Sequence, residues 1–136
     1  HEDLAGRFLP GYDFCAKLER SAAGSSACNE TDDDPSLGGS HGTHVAGLLG
    51  AQGNNSRGIV GAAYGSNVKL LPVKIFDNTG NFADINGFAK GIRWAVGLEV
   101  NGIPINKYPA RIINLSLGGK FDNSDGSVNT AALEFM

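Results

Sequence analysis

Two short apolar runs with a helical pattern between them constrain the fold more than any other feature of this sequence. The runs are 68–75 (VKLLPVKI) and 110–117 (ARIINLSL), and their β-branched residues predict two buried parallel strands. Pro72, which lacks an N–H, predicts an irregularity or partial edge character in the first run. The intervening pattern predicts a helix that is capped by Asp84 and ends near Val96. Its apolar side would consist of Ile85, Phe88, Ala89, Ile92 and Ala95.

This order of strand, helix and strand predicts an α/β fold with a mainly parallel sheet and helices on both faces. The crossover should be right-handed, and a functional site is expected at the carboxyl ends of the strands. The chain has 136 residues, about the size of one ordinary domain. Its composition, 41% hydrophobic and 18% charged, is typical of a globular protein.

A second helix is predicted at about 41–51, although it contains three glycines. Each glycine costs about 1 kcal/mol relative to alanine in a helix interior, a cost that a solvated helix would not tolerate. Gly42, Ala46 and Gly50 fall on one face of the helix. We therefore expect this face to pack closely against another backbone.

Charge and hydropathy argue against two classes of partner. The net charge is −3 and no Lys or Arg cluster is present, which disfavours nucleic acid and anionic membranes. No apolar run approaches the roughly 20 residues that a membrane span needs. The chain opens with His1 rather than with a methionine and a basic region, so we expect a processed chain or a fragment.

The polar, Gly/Ser-rich segment 15–40 predicts a long surface loop that carries both cysteines. A bridge between Cys15 and Cys28 would close a loop of about 14 residues and contribute roughly 3 kcal/mol. The alternative is two free thiols in a reducing compartment. The acidic run 32–34 could hold a metal ion, but a solvated loop is the commoner interpretation.

The string SHGTHVAG at 40–47 is the most informative motif. Two imidazoles at i and i+3 can grip a metal ion or pack into a glycine-rich helix. Zinc proteases instead space their histidines at i and i+4 with a glutamate between them. The segment HGTHVAG resembles the histidine motif of the subtilisin-like serine proteases (subtilases), and the chain resembles their bacterial extracellular members. The resemblance implies that His41 is the general base of a Ser-His-Asp triad, whereas His44 is structural.

Two further segments resemble the two edges of the substrate cleft in this family. The stretch INLSLGG at 113–119 resembles the strand whose Ser-Leu-Gly backbone pairs with an extended peptide, here Ser116, Leu117 and Gly118. On its own it could equally be a buried strand followed by a turn. The stretch TGNF at 79–82 resembles the opposite edge. There the backbone of Gly80 would bond to the substrate, and Phe82 would line a hydrophobic subsite. Alternatively, Phe82 would belong to the core.

The stretch NNSRGI at 54–59 resembles the loop around a tight calcium site in many subtilases. The resemblance implies as ligands the side-chain amide of Asn55, the carbonyl groups of Arg57 and Ile59, and the carboxylate of Asp3. Oxygen ligands suit a hard cation such as Ca²⁺. A plain Asn/Gly turn is the alternative.

The resemblance spans roughly 3–119 and implies a secreted serine-type endopeptidase with a subtilisin-like three-layer fold, incomplete in this chain. Residues 1–136 would be part of the catalytic domain, with the catalytic Asp upstream and the nucleophilic Ser downstream. The fragment alone is then expected to be inactive. Extended polypeptides are the expected partners, with its own propeptide as a further candidate. A non-catalytic binding module and a metal-binding protein that uses His41 and His44 are the alternative functions.

Overall fold

The computed structural model describes residues 1–15, 40–76 and 85–118 of the chain. A 3₁₀ turn at Glu2–Leu4 is followed by β1 (Tyr12–Asp13), α1 (His41–Gly50), β2 (Val73–Lys74) and α2 (Ile85–Ala95). The sequence also predicts a helix that begins near Val128. This helix, the predicted cap at Asp84 and the loop after Cys15 lie outside the described residues.

The two strands form a parallel pair in which Tyr12 lies opposite Val73 and Asp13 opposite Lys74. An isolated parallel bridge joins Phe8 to Leu70 upstream of this pair. Tyr12 follows Phe8 by four positions, whereas its partner Val73 follows Leu70 by three. The pairing register therefore shifts by one residue, and the extra residue lies within 9–11. The carbonyl of Pro72 accepts from the N–H of Tyr12 at 3.1 Å. The predicted strand at 68–75 is thus confirmed as a shorter parallel ladder, half-buried at Val73 and Lys74. The irregularity lies in the partner segment rather than at Pro72.

The side chains of this ladder place the two helices on opposite faces of the sheet. Leu70 faces α1, where a Cβ added to Gly50 would lie 3.2 Å from its side chain. Val73 and Ile75 face α2, where a Cβ added to Gly91 would lie 3.2 Å from each. Successive side chains of a strand point to opposite faces, so the predicted α/β arrangement with helices on both faces is confirmed.

The predicted glycine-rich helix forms at His41–Gly50, but its buried face differs from the one expected. Gly47 and Gly50 are buried, whereas Gly42 is exposed with open space around it. The close backbone approach is made by Gly61, where an added Cβ would lie 2.5 Å from the amide nitrogen of Ala51. Helical periodicity identified the helix, but the face that packs is set by the chain that returns after it.

The returning chain also satisfies carbonyl groups at the end of α1. The N–H groups of Gly61, Ala62 and Ala63 donate to the carbonyls of Ala51, Leu48 and Leu49 at 2.8–3.1 Å. The last carbonyls of a helix otherwise have no partner within it.

The core lies between α2 and the strands and is dominated by aromatic side chains. The ring centroids of Tyr12 and Trp94 are 5.5 Å apart, and those of Tyr12 and Phe14 are 5.1 Å apart. Phe88 and Ala95 are buried as predicted, and Ile92 packs partly against this core. Trp94, which the helical pattern did not place on the apolar side, is buried as well. The buried members of the cluster are Tyr12, Phe14, Ile75, Phe88, Trp94 and Val100.

The prediction of a second buried strand at 110–117 is wrong for this structure. These residues form no strand, and Ile112 is 88% exposed. A parallel strand forms only where a neighbour offers backbone donors and acceptors. In the described ranges, the sheet pairs β1 only with β2.

Candidate functional site

His41 is the first residue of α1, so its imidazole is attached to a regular helix rather than to a loop. It is exposed to solvent, and so is His44 one turn further along. An exposed imidazole on a rigid element can accept a proton from a group that approaches it from outside. His44, expected to be structural, is not buried by any of the described residues.

Asp3 lies at the centre of a cluster that joins the N-terminal turn to the loop 54–59. Asp3 is buried, with only 2% of the residue exposed. Its Oδ1 accepts from Nδ2 of Asn55 at 2.9 Å, and its Oδ2 accepts from the N–H of Ile59 at 2.9 Å. The structure therefore brings three residues of the predicted calcium site together, through N–H groups rather than through the predicted ligand oxygens of Asn55 and Ile59.

The loop folds tightly around this carboxylate because three of its residues adopt left-handed backbone angles. The φ angles are +57° at Asn54, +58° at Ser56 and +49° at Gly58. A Cβ added to Gly58 would lie 1.7 Å from Oδ2 of Asp3, so only glycine leaves room for the carboxylate there. Arg57, the fourth predicted ligand, donates its N–H to Oδ1 of Asn55 at 3.1 Å, and its guanidinium forms an ion pair with Glu2.

These contacts lower the pKa of Asp3 below its ordinary value. The hydrogen bond from Asn55 makes the largest contribution, followed by that from the Ile59 N–H, while desolvation opposes them and the Arg57 charge adds a smaller effect. The lowered pKa of Asp3 stabilises the folded state, and this stabilisation is fully present above the unfolded pKa of about 3.9. It is lost as the pH falls through the lower pKa of the folded state.

The residues of this cluster include the ligand types that suit a hard cation. Carboxylate, amide and backbone carbonyl oxygens are the ligands that Ca²⁺ takes. The Asn55 amide, however, directs its nitrogen to Asp3 and its oxygen to the Arg57 N–H. Both oxygens of the Asp3 carboxylate therefore accept hydrogen bonds from N–H groups of the loop.

The predicted substrate segment is exposed at Ser116 and Gly118 and anchored between them. Leu117 is half-buried and packs against the aromatic core. The Ser116 hydroxyl accepts from Nδ2 of Asn114 at 2.9 Å, and a Cβ added to Gly118 would meet nothing within 4 Å. The N–H of Leu117, however, donates to the carbonyl of Leu115 at 2.8 Å, so the backbone turns here and does not run as a regular extended edge. Gly80 and Phe82, predicted for the opposite edge, lie outside the described residues.

Cys15 is disulfide-bonded and 2% exposed. Cys28 lies outside the described residues, so its pairing with Cys15 stays a prediction.

In the described ranges, no group of three or more His, Cys, Asp or Glu side chains could hold a metal ion. The alternative of a metal site built on His41 and His44 therefore gains no support there.

Sequence reasoning missed the role of Asn106. It is 5% exposed and bonds to the C-terminal end of α2. The signal available was local, since Asn commonly accepts from the backbone N–H two residues on, here that of Tyr108 at 2.8 Å.

The part of the chain that the structure describes contains no helix long and apolar enough to cross a membrane.

A sequence model described as the Subtilase family matches residues 1–135. The chain is 35% identical to the extracellular basic protease of Dichelobacter nodosus and 37% identical to an extracellular protease of Xanthomonas campestris. Each alignment covers 88% of this chain and 22% of the relative. Thermitase of Thermoactinomyces vulgaris is 35% identical, over 91% of this chain and 35% of that protein.

Among solved structures, a protease of Pseudoalteromonas arctica is similar with a TM-score of 0.64 and 39% identity. This match covers 88% of the present chain and 38% of that protease. The chain therefore has the fold of these proteases over most of its length. It spans 22–38% of the four proteins named above.

Proposed function

The chain belongs to the subtilase family, and from that premise we propose that it forms part of the catalytic domain of a serine endopeptidase with His41 as general base. The observation that carries the proposal is the HGTHVAG segment, whose first histidine is exposed at the start of α1. In a Ser-His-Asp triad, the imidazole takes the proton of the serine nucleophile and later gives it to the leaving amine. A carboxylate bonded to the other ring nitrogen fixes the tautomer.

The remaining parts of the triad would come from outside the present sequence. The catalytic Asp would precede His1 and the nucleophilic Ser would follow Met136, so residues 1–136 would be an incomplete catalytic domain and inactive alone. The share of each relative that the chain spans, 22–35%, supports this division. Secretion is supported by the two relatives named as extracellular proteases.

The substrate would be a polypeptide bound in an extended form between two backbone edges. Ser116, Leu117 and Gly118 would supply one edge, and Gly80 with Phe82 the other. The exposed backbone at Ser116 and Gly118 and the anchoring of Leu117 support the first edge. The enzyme's own propeptide would bind the same cleft.

Subtilases generally bind calcium, and the site in this chain would use Asp3, Asn55 and the carbonyl groups of Arg57 and Ile59. Bound there, the ion would hold the N-terminal turn against the loop 54–59. The clustering of these residues around a buried carboxylate supports the assignment. The ion would stabilise the fold and take no part in proton transfer.

The proposal is tested by replacing each histidine of the motif in the complete enzyme. We expect His41→Ala to lower kcat by about 10⁶-fold, because triad members act as a unit, while the affinity for a peptide inhibitor changes little. His44→Ala is the matched control, since it removes the same group one turn away on the same helix, and its kcat should stay within about tenfold. Equal losses of kcat in two well-folded variants would remove the assignment of His41.

A further inference from the structure

The loop between α2 and the substrate segment folds back onto the end of α2. The helix ends in a turn at Gly97, whose φ is +85°, with the N–H of Leu98 donating to the carbonyl of Arg93 at 2.9 Å. This 6→1 hydrogen bond and the left-handed glycine are the marks of a Schellman motif. The carbonyl of Trp94 also accepts from the N–H of Gly97 at 2.9 Å. A carbonyl oxygen has two lone pairs, so this carbonyl and that of Ala95 can each bond with a further group nearby.

Asn106 supplies such a group from within the loop. Its Nδ2 donates to the carbonyl of Trp94 at 3.0 Å and to that of Ala95 at 3.1 Å. Its Oδ1 accepts from the N–H of Tyr108 at 2.8 Å. A second tie runs the other way, because Nε1 of Trp94 donates to the carbonyl of Pro104 at 2.7 Å. The buried amide of Asn106 thus joins the end of the helix to the chain just before Ala110.

Ala110 is fixed by the same helix carbonyl. Its N–H donates to the carbonyl of Ala95 at 2.8 Å, which also accepts from Asn106. From Ala110 the chain continues to Leu117, which packs against the core that contains Trp94. The segment is therefore held at its start by α2 and near its end by the core of which α2 forms one wall.

We propose that Asn106 is a positioning residue for peptide binding: it fixes where the segment 110–118 leaves α2 and so aligns the backbone of Ser116 and Gly118 with an extended substrate. The inference rests on the proposed peptidase function. Asn106 acts through the backbone at Ala110 and does not contact substrate. Its loss removes the bonds to the carbonyls of Trp94 and Ala95 and so loosens the start of the segment, while the N–H of Ala110 and the side chain of Leu117 stay anchored.

The test compares two substrates in the complete enzyme. A peptide of several residues pairs with the edge at Ser116 and Gly118, whereas the ester of a single acylated amino acid reaches the catalytic groups without this pairing. For Asn106→Ala we expect KM for the peptide to rise roughly tenfold with kcat nearly unchanged, which is the mark of lost uniform binding. Both parameters for the ester should stay near those of the unmodified enzyme.

Asn101→Ala is the matched control, because Asn101 is an exposed residue of the same loop. This variant should leave the ratio of kcat/KM for the peptide to kcat/KM for the ester unchanged. Asn106→Ser keeps a small polar group in the buried position and replaces the alanine variant if that variant fails to fold. A parallel loss on both substrates, or an unchanged KM for the peptide, would overturn the positioning role. Activity of the unmodified enzyme on the ester tests the proposed function separately, and its absence would overturn both.

Discussion

Asn55 bonds to Asp3 through its amide nitrogen, so a test of the calcium site must separate the loss of a ligand from the loss of a hydrogen bond. Asn55→Asp does this in the complete enzyme. In chelator, two adjacent carboxylates repel each other, and the thermal midpoint should fall below that of the parent. With calcium, the added charge suits the cation, and the midpoint should recover. An ion bound only by the native state stabilises it by about 2.7 kcal/mol at a hundredfold excess over Kd.

Melting curves with and without chelator measure this effect, and the neighbouring residue supplies the control. Asn54→Asp adds the same charge at an exposed position, where left-handed backbone is tolerated by Asp, and it should leave the calcium response as in the parent. Asn55→Ala should lose most of that response. If calcium raises the midpoint of Asn55→Ala as much as that of the parent, the ion binds elsewhere.

At the scale of elements, the packing of α1 can be tested by comparing two glycine-to-alanine substitutions, one at Gly61 beside the end of the helix and one at Gly42 within it. An alanine Cβ at Gly61 would lie 2.5 Å from the nitrogen of Ala51 and 2.7 Å from that of Gly50. Backbone atoms cannot move aside cheaply, so Gly61→Ala should lower the free energy of unfolding by about 1–3 kcal/mol. At Gly42 nothing lies within 4 Å, and Gly42→Ala should raise it by up to about 1 kcal/mol.

Urea denaturation of the complete enzyme measures both changes from the shift of the midpoint. The two variants add the same methyl group, so a difference in sign isolates the close backbone approach. Equal destabilisation by both would mean that the contact between Gly61 and the end of α1 does not constrain the fold.

The elements that depend on local signals were the ones that the sequence could predict. The helices at His41–Gly50 and Ile85–Ala95 follow from periodicity within one stretch of chain. The segment 110–117 has the composition of a strand, yet a strand also needs a neighbour at the right distance, which composition does not specify. Which face of α1 is buried was missed for the same reason, since Gly61 decides it from eleven residues beyond the helix.

Some residues of the candidate site could be predicted from the sequence and others could not. Asp3 and the loop 54–59 were expected together because the family resemblance linked two segments that no local pattern connects, and the structure places them in contact. Asn106 went unnoticed because its partners are helix carbonyls that only the folded chain brings near. Trp94 was missed because the apolar side of α2 is wider than the stripe of residues that defined it.

For the whole molecule, the described surface carries many apolar side chains in contact with water. Ile112 is 88% exposed, Ile105 69% and Leu48 66%. We expect the 136-residue chain on its own to lack peptidase activity and to self-associate, because large exposed apolar surfaces promote association. Light scattering reports the association, and a fluorogenic peptide together with a serine-directed fluorophosphonate reports the activity.

Stoichiometric labelling of one serine in this chain, with turnover lost in His41→Ala, would contradict the expected division of the triad. Ser116 is the residue to examine first in that case, since its hydroxyl is exposed and already accepts a hydrogen bond from Asn114. We expect it to remain unlabelled, because no general base contacts it in the described residues.

The parallel pairing of β1 with β2 also determines the order in which this chain can assemble. Asp13 and Lys74, which face each other across the pair and form an ion pair at 2.8 Å, are 61 residues apart in sequence. Closing so large a loop costs entropy before any contact is gained, and folding slows as contacts become less local. We therefore expect the joining of β1 to β2 to come late in folding and to limit the rate at which the sheet is completed.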